Sequence, residues 1–302
     1  MAGQMSETAL ASEPAISSAA GARRRGAIVR QAVTYISVSV LGLIFMTPFF
    51  WAVSSALKDP WEIFEYPPRL FPSVVHWENF VEIWRRVPFA RWTGNSFFIC
   101  FTAVFGQVSS ATLVAYGFSR FRFPGREKLF LIVLSTMMLP FQVTLIPLFL
   151  LYRAIGWLDT LKPLIVPHYF GGGAFYIFLI RQFLMTIPMD LDEAAKIDGA
   201  GSFRILVRVI LPLAKPALLT VIIFSFMGHW NDFLGPLFFL NDPEKFTLSL
   251  GLRYFQGLPT SGEPKQHWLM AASVTMTVPV VSLFFFTQRY FVQGIVTTGL
   301  KM

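Results

Sequence analysis

The chain has 302 residues, of which 54% are hydrophobic and 16% aromatic, and its mean hydropathy is +0.57. These values exclude an ordinary soluble domain and indicate an integral membrane protein. Lys and Arg outnumber Asp and Glu by 25 to 17, which gives a formal net charge of +8, and the single cysteine, Cys100, excludes an intrachain disulfide.

Six segments are long and apolar enough to cross a bilayer, which takes about 20 residues per helix. The sequence therefore predicts an all-α membrane protein with six transmembrane helices. We place the spans at residues 31–57, 92–118, 129–152, 163–183, 213–238 and 268–288. Six spans put both termini on the same side of the membrane.

Basic residues assign that side to the cytoplasm, where positively charged loops are retained. Arg23, Arg24 and Arg25 precede the first span, and the short connection 120–128 contains four more Lys and Arg residues. This topology explains the basic balance, so no nucleic-acid partner is expected. Residues 1–30, rich in Ala, Ser and Gly, are predicted to form a disordered basic cytoplasmic tail, and residues 31–302 the transmembrane domain.

Three spans have features typical of a transport pathway. In the third span, Pro140 and Pro147 remove backbone donors and loosen the helix. The fourth contains three consecutive glycines at 171–173, and the fifth ends in the polar sequence GHWNDFLGP, residues 228–236. Amides, carboxylates and aromatic faces suit a hydroxyl-rich solute, although helix packing and helix ends use the same residue types. The candidate residues of a substrate path are Gln142, Tyr169, Asn231 and Asp232.

The segment between the fourth and fifth spans, residues 190–212, is predicted to form a helix, a glycine turn and a second helix. Asp190 and Glu193 have the spacing of a capping box. Gly199 suits the left-handed turn that ends a helix, and Ser202 is a favourable N-cap for the next one. This loop 190–212 is either a docking element at the membrane surface or an amphipathic hairpin that lies on the membrane.

Loop 190–212 resembles the EAA loop in the permease subunits of binding-protein-dependent carbohydrate ABC importers. In that family the loop contains the coupling helix, which docks into a groove of the ATPase subunit. The resemblance covers the chain from about Ile36 onwards, and it is strongest to the smaller subunit of maltose permeases. Val209 stands where isoleucine is usual. The matching residues, which are the predicted ATPase-docking residues, are Glu193, Ala194, Ala195, Asp198, Gly199, Leu211 and Pro212.

The resemblance implies a type I importer permease in the bacterial inner membrane that moves a sugar or oligosaccharide by alternating access. It implies four kinds of partner: a pair of ABC ATPase subunits, a second homologous permease, an extracytoplasmic sugar-binding protein and the lipid bilayer. ATP and Mg²⁺ would bind to the ATPase subunits, and this chain would be non-catalytic.

The sequence lacks the common motifs of catalysis, which agrees with a non-catalytic role. The sequence has no GxxxxGK[ST] phosphate loop, no HExxH pair and no GxSxG element. Its four histidines are far apart in sequence, so no metal site is expected. The alternatives are an ion-driven secondary transporter of a small polar solute, which needs ionisable residues near the membrane midplane, and a scaffold for an ATPase that transports nothing.

Overall fold

The computed structural model describes the backbone of residues 13–256 and 264–299, and the side chains of residues 28–256 and 264–288. The regular secondary structure in these ranges is helical, as expected in a membrane, where a helix satisfies its own backbone hydrogen bonds. The α-helices are α1 (Glu13–Ala56), α2 (Glu78–Arg86), α3 (Phe89–Arg120), α4 (Arg126–Ser135), α5 (Phe141–Ala154), α6 (Lys162–Ile165), α7 (Ala174–Thr186), α8 (Asp190–Ile197), α9 (Ser202–Ile205), α10 (Leu211–Leu213), α11 (Lys215–Trp230), α12 (Leu234–Phe239), α13 (Leu248–Gly251), α14 (Arg253–Gln256) and α15 (Gln266–Gly299). Four 3₁₀ turns (Glu62–Phe64, Thr136–Met138, Val166–Tyr169 and Pro243–Lys245) and a π-helix (Leu206–Ile210) join them.

Four helical segments among the described residues are long and apolar enough to cross a membrane: 28–56, 89–120, 162–186 and 266–288. Two bent pairs raise the number to six if each pair is one span. The pair Arg126–Met138 and Phe141–Ala154 is bent by 94°, and the pair Ser202–Leu213 and Lys215–Trp230 by 82°. The all-α prediction is confirmed, with four to six membrane spans by length and composition.

The third predicted span, 129–152, is not one continuous helix. It is broken between Thr136–Met138 and α5, at Leu139 and Pro140. Leu139 is extended, with a ψ of 113°, because the residue before a proline avoids helical geometry. Pro147 is accommodated inside α5. Of the two prolines, only Pro140 therefore ends a helix.

The fifth predicted span, 213–238, is also divided. Ala214 has a ψ of 2°, which separates α10 from α11, and Pro216 lies in the first turn of α11, where its missing N–H costs little. α11 then ends at Trp230 rather than near residue 238. A separate helix, α12, begins at Leu234, and Asp232, two residues before it, accepts a hydrogen bond at Oδ1 from the Gly235 N–H at 3.1 Å.

The chain divides into two compact units, residues up to Ser54 and residues from Ser55 onwards. In the first unit, α1 exposes large apolar side chains such as Leu43 (72%) and Phe45 (80%), as a lipid-facing helix does. Residues 13–30, predicted to be disordered, are helical in the structure. This part of the tail is rich in alanine, the strongest helix former, and it continues directly into the apolar helix. Residues 1–12 of the predicted tail lie outside the described residues.

In the second unit, α3 is the central helix. Its 32 residues contribute to three buried apolar clusters: Trp92 and Cys100 to one, Ile99 to the second, and Ala111 and Tyr116 to the third. α3 contains no proline and no break. It is therefore the continuous element around which the interrupted helices of this unit pack.

Candidate functional site

Loop 190–212 forms the predicted helix, glycine turn and helix. The turn is a Schellman motif: the Gly199 N–H donates to the Lys196 carbonyl and the Ala200 N–H to the Ala195 carbonyl, both at 2.9 Å. Gly199 has a φ of +78°, in the left-handed region that glycine adopts without strain. The geometry predicted for Gly199 is therefore present.

The predicted caps of this loop are not formed. Met189 is the N-cap of α8 and Asp190 its first residue, and Asp190 and Glu193 do not form a capping box. Gly201 occupies the N-cap position of α9, so Ser202 is already inside that helix. The acidic residues in the first turn of α8 still interact favourably with the positive N-terminal end of the helix dipole.

The exposed side of α8 and its turn carries most of the predicted docking residues. Pro212, further along the loop, is exposed as well, whereas Leu211 is half-buried against the core. We call the following exposed residues the docking face: Glu193, Ala194, Lys196, Ile197, Asp198 and Gly199. Asp190 and Leu191, at the start of α8, are exposed as well.

The two alanines of the motif do not share a face. Ala194 is exposed, but Ala195 packs against the apolar cluster formed by α3, α7 and α9. The two alanines therefore do not form one smooth surface, because neighbouring helix positions point about 100° apart. The sequence interpretation also missed Ile197 (87% exposed) and Phe203 (72%), two apolar side chains that stand out beside the turn.

Three polar side chains hold the loop in place, and the sequence interpretation assigned none of them to the site. Arg120, at the end of α3, donates from Nη1 to the Ile187 carbonyl at 3.1 Å. Its Nε lies 3.5 Å from Asp192 Oδ2, and both side chains are only 4% exposed. Tyr116, one turn earlier, donates to the Ser202 carbonyl at 3.1 Å. The charge pattern of the sequence indicates only that Arg120 belongs to a basic connection, and sequence spacing gives no sign of its contact with a residue 72 positions later.

A π-helix forms part of the second half of loop 190–212, before α10 and α11. The segment Leu206–Ile210 widens the helix just before Leu211 and Pro212. Pro212 has no N–H to donate back into the preceding turn, which favours such a local change in hydrogen bonding. The Leu-Pro pair of the motif thus lies at the start of the 82° bend that leads into α11.

The four candidate residues of the substrate path do not form one cluster. Asp232 lines a cavity of about 340 Å³ together with Tyr152, His168 and His229. Gln142 and Asn231 are exposed and lie outside this lining. The fourth, Tyr169, donates from its hydroxyl to the Thr102 carbonyl at 3.0 Å and places its ring over Gly106.

A buried polar network lies beside the cavity. Gln107, in the middle part of α3, accepts at Oε1 from the Ser225 hydroxyl at 2.5 Å, and His229 Nε2 is 3.0 Å from the same oxygen. The rings of His168 and His229 are in edge contact, with centroids 4.4 Å apart. Histidines 61 positions apart in sequence therefore meet, which sequence spacing did not indicate. Within the described residues, no group of three or more His, Cys, Asp or Glu side chains could hold a metal ion.

The three consecutive glycines bring α3 and the start of α7 close to this network. All three have positive φ, so the chain is unwound there. A Cβ on Gly172 would lie 2.5 Å from the Ala111 backbone nitrogen and 2.6 Å from the Gln107 carbonyl oxygen. The glycines therefore form an unwound turn and also allow a close helix contact.

An ionic contact fastens the segment after α12. Asp159, in the turn between α5 and α6, lies 2.7 Å from Lys245 Nζ and accepts from the N–H groups of Asn241 and Asp242, each at 3.0 Å. The Lys245 hydrogen bond, followed by the two backbone donors, lowers the pKa of Asp159 from 3.8 to about 2. The depressed pKa means that this contact stabilises the fold while the carboxylate is ionised.

Asp159→Asn should reveal this contribution through its pH dependence. Because the folded pKa is below the unfolded one, the stabilisation is complete above about pH 4 and disappears as the pH falls towards 2. We expect Asp159→Asn to lower the melting temperature in detergent by the same small amount at pH 5 and pH 8, and by less at pH 3. Asparagine tolerates the left-handed backbone at this position (φ 56°), so chiefly the charge changes. A difference that grows as the pH falls would contradict the assignment.

A set of apolar helices with an exposed helix–glycine–helix loop indicates a multi-helix membrane protein with a surface element. Residues 107–297 match the family described as binding-protein-dependent transport system inner membrane component. The chain is 33% identical over 261 residues to the sn-glycerol-3-phosphate transport system permease protein UgpE of Yersinia enterocolitica, covering 84% of this chain and 92% of that protein. It is 31% identical over 269 residues to the maltodextrin transport system permease protein MdxG of Bacillus subtilis, covering 89% and 95%.

Among solved structures, the chain is similar to one of a bacterial ABC transporter involved in the import of the acidic polysaccharide alginate. The TM-score is 0.76, the identity is 24%, and the match covers 88% of this chain and 98% of the other. This likeness shows the fold, that of a type I ABC importer permease. The chain belongs to the family of binding-protein-dependent transport system inner membrane components, and the resemblance identified from loop 190–212 is confirmed.

Proposed function

We propose that this chain is a transmembrane permease subunit of an ATP-driven ABC importer, with six spans and both termini in the cytoplasm of a bacterial inner membrane. The observation that carries the proposal is the docking face: a helix with an exposed outer side, ended by a left-handed glycine, between two membrane helices. Of the seven motif residues, the exposed Glu193, Ala194, Asp198, Gly199 and Pro212 would contact an ATPase subunit, whereas Ala195 and Leu211 would support the loop from the core side. This chain would be non-catalytic, with ATP and Mg²⁺ bound by that partner.

Three kinds of protein partner follow from this role: a pair of ATPase subunits, a second homologous permease and an extracytoplasmic binding protein. The family description, which specifies dependence on a binding protein, supports the last of these. ATP-driven closure of the ATPase pair would move the docking loops, and this motion would open the path alternately to the two sides of the membrane.

The cavity beside Asp232 favours an uncharged, hydroxyl-rich substrate such as an oligosaccharide. The two relatives are named for different solutes, an anionic glycerol phosphate and an uncharged maltodextrin. Recognition of a phosphate calls for Arg, Lys or backbone N–H donors. The residues that line the cavity include Asp232, His168, His229 and Tyr152 but neither Lys nor Arg. Aromatic rings and hydrogen-bonding side chains of this kind suit sugar faces and hydroxyls.

A pull-down in mild detergent from the native host, followed by mass spectrometry, tests the proposal. We expect the tagged chain to retain an ATPase, a second permease and a binding protein. Maltodextrin and sn-glycerol-3-phosphate are then compared as ligands of that binding protein by calorimetry, and as substrates of the reconstituted complex. We expect maltodextrin to bind and to be taken up. Recovery of the chain without an ATPase would overturn the importer assignment, and exclusive uptake of glycerol phosphate would overturn the substrate class.

One observation favours the ion-driven alternative, namely the contact between His168 and His229 beside Gln107. Ionisable pairs inside a membrane protein are candidates for a proton path. Of the buried ion-pair residues, Arg120 and Asp192 instead lie at helix ends, and Arg181 pairs with the exposed Glu127. Uptake of maltodextrin into vesicles driven by a pH gradient, without an ATPase and lost in His229→Gln, would support this alternative, whereas uptake only with ATP supports the importer.

A further inference from the structure

The end of α3 contacts the first turn of α8, which we call the docking helix, and the chain on either side of that helix, although α3 is far from it in sequence. Arg120 binds the Ile187 carbonyl and approaches Met189 Sδ to 2.9 Å, just before α8 begins. It also faces Asp192 in the first turn of α8. Tyr116 binds the Ser202 carbonyl, just after the glycine turn. A displacement of the docking helix therefore acts directly on the last two turns of α3.

The Arg120–Asp192 pair is a joint that does not separate easily. Both side chains are 4% exposed, and one buried charge without the other is strongly unfavourable. Arg120 Nε and Nη2 and Asp192 Oδ2 have no hydrogen-bond partner among the described residues. At 3.5 Å the pair thus retains unused donors and acceptors for a closer, bidentate arrangement. The two helices can shift by a fraction of an ångström and keep their electrostatic contact.

The helices joined to loop 190–212 by the chain itself are less suited to carry a displacement. The span that ends in α7 is unwound at glycines 171–173, and the chain bends by 82° before α11. α3 is continuous over 32 residues. A rigid helix moves as one body, whereas a break absorbs movement through its own φ and ψ angles.

α3 also contacts the polar network beside the cavity and the segment after α12. In its middle part, Gln107 binds Ser225 and His229 of α11. At its other end, the Trp92 indole donates to the Pro243 carbonyl at 2.7 Å, and Asn95 donates to the Glu244 carbonyl at 3.0 Å. One helix therefore connects the docking loop, the cavity network and the segment after α12.

We propose that Arg120 and Asp192, assisted by Tyr116, form the joint through which motion of the docking helix enters the membrane domain, and that α3 transmits it. This inference rests on the proposed function, because it needs an ATPase at the docking face. Arg120 and Asp192 act as positioning residues: they lie behind the docking face and contact the partner only through α8.

The test uses the complete complex in proteoliposomes and the co-purified binding protein as the probe. The readout is the stimulation ratio, the rate of ATP hydrolysis with the binding protein divided by the rate without it. We expect Arg120→Met to reduce the ratio at least tenfold or to abolish the stimulation. Arg122→Met, an exposed arginine two residues further on, is the matched control and should keep the wild-type ratio.

Arg120→Met leaves Asp192 buried without its partner, so the variant could fail to fold for that reason alone. The double variant Arg120→Met/Asp192→Leu removes both charges and should assemble, because apolar residues replace buried ion pairs without loss of stability in many proteins. We expect this variant to retain the ATPase in the pull-down and still to lose stimulation. A charge exchange, Arg120→Asp/Asp192→Arg, should recover part of the ratio.

A wild-type ratio in the assembled double variant would overturn the proposal. So would an equal reduction in Arg122→Met, since the effect would then not depend on the joint. A wild-type complex that lacks the ATPase, or that shows no stimulation by the binding protein, is a different result, because it contradicts the proposed function itself.

Discussion

Gly199→Val should reduce the amount of ATPase retained by the tagged chain at least tenfold. Gly199 has a φ of +78°, where a residue with a Cβ costs roughly 1–2 kcal/mol and a β-branched one more. To relieve this strain, the turn must open the Schellman hydrogen bonds and change the angle between α8 and α9. A change of about 1.4 kcal/mol alters a binding equilibrium about tenfold. Pull-down with quantitative mass spectrometry measures the loss.

Gly201→Val is the matched control for this prediction. Gly201 lies two residues further on in the same turn, it is exposed, and a Cβ at either glycine meets nothing within 4 Å. Its φ of −71° and ψ of 161° are extended geometry, which valine adopts readily. We therefore expect Gly201→Val to retain the ATPase. Equal retention by the two variants would show that the left-handed turn is not needed for docking.

Gly172→Ala should be the most destabilising single-methyl substitution among the three consecutive glycines. Its Cβ would lie 2.5–2.6 Å from Ala111 and Gln107 backbone atoms, which cannot move aside as a flexible side chain can. Overpacking of this kind costs about 1–3 kcal/mol. Because Gln107 also binds Ser225 and His229, the shift would disturb the polar network beside the cavity. Transport should fall together with stability.

The neighbouring Gly171→Ala separates packing from backbone strain. A Cβ at Gly171 meets nothing within 4 Å, but its φ is +92°, further from the left-handed helical value than the +62° of Gly172. If backbone strain alone mattered, Gly171→Ala would be the more destabilised variant. If packing decides, Gly172→Ala is the more destabilised one. Cys100 is buried and is the only cysteine of the chain, so a thiol-reactive dye reports unfolding in detergent. A lower melting temperature for Gly171→Ala would contradict the packing argument.

The sequence alone determined the class of protein and the helix–turn–helix form of loop 190–212. Apolar length fixes membrane helices because the bilayer provides no partner for an open backbone group. A glycine in a motif such as Glu193–Pro212 fixes a left-handed turn, because only glycine adopts that backbone without strain. These are local properties of the chain. For the same reason the break at Pro140 was partly foreseeable, since a proline changes the geometry of the residue before it.

Only the tertiary structure decided which residues meet. The packing of distant helices decides two contacts and one separation. These are the contact of Arg120 with Asp192, the contact of His168 with His229, and the distance of Asp232 from Gln142. The predicted capping box at Asp190 and Glu193 is also absent. The hydrogen bonds at the first turn of a helix depend on the direction from which the preceding chain enters it. Periodicity specifies which side of a helix is apolar but not which neighbour covers it. The neighbour is chosen by packing over the whole bundle, as with Arg120, buried at the end of α3 beneath a loop 70 residues further along the chain.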